Sequence, residues 1–275
     1  MAAMRVGLVG CGNIASDLCA AMADGRIKAE VTALHDVDAE RADALRRQHN
    51  LNNATIGGLD EAAANCDFLV ECAVAAAVPG VVRAAARHGV DCLVMSLGGL
   101  MLNMDLFDTA RQSGILICLP SGAICGLDGV RSALQAGLDS VTLTTRKPPA
   151  GLAGAPYLRE NGIVLDGLTE PLVVFEGSAL EAVKAFPANV NVAAALSLAG
   201  IGPERTRVRV VADPAAVTNS HEIAASGPFG ELRAVTSNRP SPRNPKSSYL
   251  ASLSAIHELR SAAARFDAGE TPNRA

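Results

Sequence analysis

The stretch Arg5-Val-Gly-Leu-Val-Gly10-Cys-Gly12-Asn-Ile-Ala15-Ser-Asp-Leu18 decides the fold. Val6 to Val9 form a short apolar run of the kind a buried parallel strand needs. The run breaks at Gly10, and Ile14, Leu18, Ala21 and Met22 follow at helical spacing. The pattern Gly10-x-Gly12-x-x-Ala15 is that of a dinucleotide-binding turn with alanine at its third position. Gly10 permits the tight turn, Gly12 leaves room for a pyrophosphate, and Ala15 lets the helix sit close on the strand. Amides at the helix start, among them those of Asn13 and Ile14, then point at the anion.

The turn alone is a weak signal, because glycines punctuate many loops. Its context strengthens it. A second strand pattern, Glu30-Val-Thr-Ala-Leu-His35, ends at Asp36, at the distance where this fold places a ribose-binding carboxylate. Asp36 accepts from ribose hydroxyls and repels a 2′-phosphate, so NAD is favoured over NADP. Dual use stays open, because Arg41 or Arg46 could swing toward a phosphate.

Working outward, strands are expected at Ala54–Ile56, Asp67–Cys72, Asp91–Ser96 and Gly114–Cys118. Helices are expected over Ala39–His49, Ala75–His88 and Met104–Gln112. This alternation predicts a doubly wound parallel sheet. Glu71-Cys72-Ala73 and Ser96-Leu-Gly98 lie at the carboxyl ends of strands, where open α/β sheets bind ligands, and are placed on the nicotinamide side.

The pattern changes at Pro120-Ser-Gly-Ala123-Ile-Cys-Gly-Leu-Asp-Gly129, a glycine-rich turn between a strand and a helix. Ser121 and the helix start there are candidate contacts for an anion. Ser140 to Thr145 alternate as a strand, and Arg146-Lys147-Pro148-Pro149 ends it with two cations suited to a dicarboxylate. Gly151 to Gly162 read as loop, and Glu176-Gly177 as the opening of a helix. Asn189 and Asn191 stand at the start of another helix, as caps or as ligand contacts. Two further strand patterns, Val217–Ser226 and Glu231–Ser237, flank a Gly/Pro turn. The first carries Asn219-Ser-His221-Glu-Ile. A final amphipathic helix spans Tyr249–Phe266.

The chain has 275 residues, 49% hydrophobic content and a net charge of −4. That is enough for one large or two modest domains, and it argues against nucleic acid and anionic membrane as partners. No apolar run reaches bilayer-spanning length. Seven cysteines without a Cys-x-x-Cys pair fit a reducing, cytoplasmic setting. No metal-ligand cluster is visible. The boundaries expected are residues 1–119 for the dinucleotide domain, 120–245 for a substrate and oligomerisation domain, and 246–275 for a returning helix.

Taken together, the turn at 10–15, the segments 120–129, 145–149, 186–195 and 219–223, and the Asn-Pro-Lys-Ser-Ser loop at 244–248 resemble the L-aspartate dehydrogenases over nearly the whole chain. The resemblance implies an N-terminal Rossmann domain and a C-terminal α/β domain with a mixed sheet. It implies NAD- or NADP-dependent oxidation of L-aspartate to iminoaspartate, which hydrolyses to oxaloacetate and ammonia. By the same resemblance His221 is the catalytic histidine, and Ala123 and Asn189 or Asn191 contact the cofactor. Lys147, Ser121, Asn191 and Asn219 are the candidate substrate contacts. A homodimer is the default assembly. Homoserine dehydrogenases and dihydrodipicolinate reductases share the two-domain plan, and a non-catalytic NAD sensor is the rival of a different class.

Overall fold

The apolar run after the N-terminus forms β1 (Met4–Val9), and the glycine turn delivers the chain into α1 (Asn13–Ala23). In the computed structural model, which describes residues 3–186, 191–244 and 247–269, this hairpin-free unit repeats. It continues through β2 (Ala29–His35), α2 (Ala39–Gln48), β3 (Thr55–Ile56), α3 (Leu59–Ala64), β4 (Phe68–Glu71) and α4 (Val78–His88). Then come β5 (Asp91–Val94), α5 (Leu97–Met101), α6 (Asp105–Gln112) and β6 (Ile117–Cys118). The six strands pair in the order β3-β2-β1-β4-β5-β6, all parallel, with the chain reversing direction across the sheet at β1 and β4. Crossover helices on a parallel sheet force both strand faces inward, which is why Val6, Leu8, Leu69 and Leu93 are fully buried.

The second part runs α7 (Leu127–Ala133), β7 (Ser140–Lys147), α8 (Pro156–Glu160), β8 (Leu172–Ser178), α9 (Ala179–Ala185), α10 (Asn191–Ala199) and β9 (Arg207–Ala212). It closes with the hairpin β10 (Asn219–Gly227) and β11 (Gly230–Asn238). Its sheet is mixed, in the order β11-β10-β7-β9-β8, with β7 and β9 the parallel pair. The α/β class with a parallel sheet and a second, mixed sheet is as expected from the sequence.

Contacts divide the chain into two compact units, Met1–Pro120 with Ser252–Ala275, and Ser121–Ala251. The first therefore includes most of α11 (Tyr249–Asp267). Ala255, Ile256, Leu259, Ala262 and Ala263 of that helix share one buried cluster with Val6, Leu8, Leu18 and Leu34.

Three elements differ from the sequence reading. Residues Leu172–Ser178 are a strand, and the helix expected from Glu176 begins only at Ala179. Ser178 caps it, accepting from the Glu181 amide while the Glu181 carboxylate accepts from the Ser178 amide. A register shift between Val173 and Phe175 breaks the alternation that would have marked the strand. Pro156–Glu160, read as loop, is a short helix started by proline at its first position. Leu97–Met101 adds a buried helical turn directly after the fifth strand.

Candidate functional site

In the first unit the candidate cofactor residues converge at the carboxyl ends of β1, β2 and β4. Gly10 has φ of +91°, and a Cβ there would stand 2.7 Å from the backbone of Cys72 and Ala73. Only glycine allows that approach. Gly12 differs: a Cβ built there meets nothing within 4 Å. It caps α1 with no side-chain hydrogen bond, so no side chain at the cap takes up the first amides of the helix. Ala15 is fully buried. Asp36 is held by the loop itself, accepting from the Cys11 amide at 2.8 Å and the Asp38 amide at 3.0 Å. A helix start without a side-chain cap, open space at Gly12 and a carboxylate held by the same loop fit a dinucleotide.

Arg41 and Arg46 are both engaged. Arg41 pairs with Asp38 at 3.5 Å and Arg46 with Asp43 at 2.6 Å. The cleft at the opposite end of this sheet, about 330 Å³, is lined by the strand starts Met4, Phe68 and Asp91. Parallel sheets bind ligands at their other end, so it is not the dinucleotide site.

The two strand-end segments singled out in the sequence, at Glu71 and at Ser96, are joined by a carboxylate. Glu71 is completely buried at the end of β4. Its carboxylate accepts from the Ala73 amide at 2.8 Å, the Ser96 amide at 2.8 Å and the Ser96 hydroxyl at 2.9 Å. Burial holds its pKa above the usual carboxylate range, and these donors offset only part of that rise. Glu71 thereby ties the ends of β4 and β5 together. Cys72 adds a thiol contact to the Gly10 carbonyl at 3.0 Å.

In the second unit, β7 alternates so that Val141, Leu143, Thr145 and Lys147 share the buried face, while Arg146 points the other way and pairs with Asp213 at 3.0 Å. β10 lies antiparallel to β7 with His221 opposite Thr145. The register puts His221 on that same face, where the Thr145 hydroxyl and His221 Nδ1 share a hydrogen bond of 3.0 Å. Nε2 has no hydrogen-bond partner among the described residues. His221 is 4% exposed and Lys147 6% exposed. Burial lowers the His221 pKa to about 4, with the nearby Lys147 charge adding to the effect. Burial alone lowers Lys147 to about 8. Both are thus poised far from their ordinary values, a pattern that clusters at functional sites.

Lys147 opens onto a cleft of about 570 Å³ whose wall also includes Gly151, Phe186, Asn219, Asn238 and Arg239. The turn at 120–129 is anchored on β11: the Ala123 carbonyl accepts from Asn238 Nδ2 at 2.9 Å and Thr236 Oγ1 at 3.2 Å. Gly126, with φ of +84°, lets the turn press on Ala234, 2.7 Å from where a Cβ would stand. Ser121 is half-buried in that turn. Asn191 is the exposed first residue of α10, and Asn189 lies outside the described residues.

A model of the aspartate dehydrogenase C-terminal family matches residues 128–262, which include Lys147, His221 and Arg239. One of the homoserine dehydrogenase NAD-binding domain matches residues 10–120. L-aspartate dehydrogenase of Methanosarcina mazei is 47% identical over 260 residues, which are 94% of this chain and 96% of its own. The chain belongs to the L-aspartate dehydrogenase family. Its relative from Bradyrhizobium diazoefficiens is 42% identical across 94% of this chain and 91% of its own. Among solved structures, the aspartate dehydrogenase of Thermotoga maritima superposes with a TM-score of 0.73 at 26% identity, covering 94% of this chain and 96% of that one.

Membership in the L-aspartate dehydrogenase family rests on both halves. The relatives match across both; the first half also fits a nucleotide-binding model named for homoserine dehydrogenase, and the second fits the model named for aspartate dehydrogenase. A pyridine nucleotide is the cofactor class this first domain serves. Asn238, Arg239 and Gly151, which line the cleft, were missed in the sequence. The first two sit where a strand pattern dissolves into a Pro/Ser/Asn loop, and an Asn-Arg pair there looks like solvated surface.

Proposed function

We propose that the protein oxidises L-aspartate with NAD to iminoaspartate, which hydrolyses to oxaloacetate and ammonia, and that it runs the reverse amination as well. The observation that carries this is the burial of Lys147 and His221 together on one face of the second sheet, with Lys147 lining a cleft, in a chain of this family. Gly10, Gly12, Asn13, Ile14, Asp36, Cys72 and Ala73 would hold the nucleotide, with Ala123 and Asn191 as further contacts. When bound, the nicotinamide supplies the hydride acceptor for Cα of aspartate.

The chain's own residues do the rest. Lys147 offers an ammonium to a substrate carboxylate, and Asn219 and Ser121 offer polar groups around it. His221 is neutral at physiological pH, so Nε2 is free to take a proton from water as its oxygen adds to the imine carbon. That proton then passes to the nitrogen, and as the C–N bond breaks and ammonia leaves, the hydroxyl formed from water gives its remaining proton to His221 and so to solvent, leaving the carbonyl. A bound dicarboxylate also offsets the Lys147 charge that depresses His221, moving the imidazole back toward a useful basicity.

Asp36, fixed by two amides, favours NAD. A homodimer is proposed on the frequency of closed twofold symmetry and on Val173 and Val235, which stand exposed on the second sheet. All seven cysteines are free thiols, which supports a reducing, cytoplasmic setting.

The test is NADH oxidation on adding oxaloacetate, with and without ammonium, repeated with NADPH. Oxidation that requires ammonium and prefers NADH is the expected result; oxidation without ammonium would make the protein a plain oxo-acid reductase. His221→Ala is expected to lower kcat/KM by ~10²–10⁴-fold, the usual cost of losing a general base. A loss within about threefold would remove His221 from that role.

A further inference from the structure

Arg239 follows the last residue of β11 and lines the same cleft as Lys147. Its backbone is anchored: the Arg239 carbonyl accepts from the Tyr249 amide at 2.9 Å, and Pro240 bridges to Ser248. Its guanidinium is not spent on the fold. Arg146, Arg209 and Arg233 of this unit each hold a carboxylate, at 3.0, 3.1 and 3.2 Å. Arg239 is exposed and pairs with none among the described residues. The cleft wall therefore presents two cations and, among the described residues, no Asp or Glu.

A cleft lined in this way is electrically matched to a dianion. The two cations differ in depth. Lys147 is buried and close enough to His221 for its charge to act on the imidazole, so it belongs with the reacting carbon and the carboxylate attached to it. Arg239 stands at the exposed part of the wall, and its planar fork suits a carboxylate bidentately. Gly151 and Asn219 line the same cleft next to Lys147: a Cβ at Gly151 would lie 3.7 Å from Lys147 Cβ and 3.8 Å from Asn219 Oδ1.

We propose that Arg239 binds the side-chain carboxylate of the substrate and selects a dicarboxylate over the corresponding monocarboxylate. This rests on the cleft being the substrate site.

The experiment compares Arg239→Met, Arg239→Lys and Lys147→Met with the unaltered enzyme, reading KM and kcat for aspartate, KM for NAD, and competitive inhibition by succinate. Losing one charge-assisted contact predicts a rise of ~10–100-fold in KM for aspartate and in Ki for succinate in Arg239→Met. The kcat and the KM for NAD stay within about threefold, and Arg239→Lys recovers part of the loss. A KM for aspartate that stays within about threefold in Arg239→Met, while Lys147→Met raises it, overturns the role of Arg239 and leaves the cleft as substrate site. If neither variant moves KM, the cleft is not the substrate site and the proposal falls with it. Absence of any aspartate-dependent NAD reduction by the unaltered enzyme would instead overturn the proposed reaction.

Discussion

At the residue scale, the two glycines of the nucleotide turn do different work, and substitution separates them. Gly10 has positive φ and backbone packed 2.7 Å from its missing Cβ, so Gly10→Ala strains the turn and pushes on Cys72 and Ala73. Gly12 has φ of −93° and open space around it. Gly12→Val is therefore expected to fold with an unchanged Tm and to lose NADH binding, whereas Gly10→Ala loses stability as well. Thermal melts with a fluorescence titration of NADH check both. A Gly12→Val protein that still binds NADH normally would mean that no pyrophosphate sits on this turn. The glycine spacing and Asp36 were legible because the chemistry is local: one loop, one helix start and one strand end. Lys147 was legible only as a residue type. Flanked by Arg146 and two prolines it reads as solvated, and its burial follows from strand alternation that only the sheet can orient.

At the scale of elements, the ends of β4 and β5 are coupled by one buried carboxylate. Glu71→Ala would leave the Ala73 amide, the Ser96 amide and the Ser96 hydroxyl without their acceptor. Each unsatisfied group costs about 1–3 kcal/mol, so a loss of several kcal/mol in unfolding free energy is expected, together with weaker NADH binding through the displaced Ala73 wall. Urea titration and a cofactor KM measure the two effects; an unchanged midpoint would show that Glu71 ties nothing. The six parallel strands of the first unit were readable as short apolar runs between helical patterns. β8 was not, because its bulge interrupts the two-residue period and Glu176-Gly177 imitates a helix start. The capping box at Ser178 and Glu181 was in the sequence two residues further on, and it marks the true beginning of α9.

At the scale of the molecule, the buried bases set a dependence of stability on pH. The folded-state pKa of His221 is about 4, below its ordinary value near 6.5. Between those values the unfolded chain binds a proton that the folded chain does not. Stability from this site is therefore complete above about pH 6.5 and is lost as pH falls toward about 4. Lys147, lowered to about 8, has the same sign in another window: stability rises as pH increases from about 8 toward its ordinary value near 10.5. Urea midpoints measured from pH 4.5 to 7.5 should fall toward acid in the unaltered protein and fall less in His221→Asn. Equal slopes would mean that His221 is not held neutral by burial.

A contiguous pattern of a few residues was enough to read the glycine turn, the parallel sheet around it, the carboxylate at the end of β2 and the family. Tertiary structure alone decided the candidate substrate site. His221 and Thr145 are far apart in the chain and meet only when β10 pairs with β7 in one register, and a slip of one residue would turn His221 to the opposite face. The same pairing buries Lys147 beside His221, and the end of β11 brings Arg239 to the same cleft as Lys147. Strand order and register are settled by the packing of the whole sheet, so no local pattern could have announced that Lys147 is buried on the face of His221 or that Arg239 lines the cleft of Lys147.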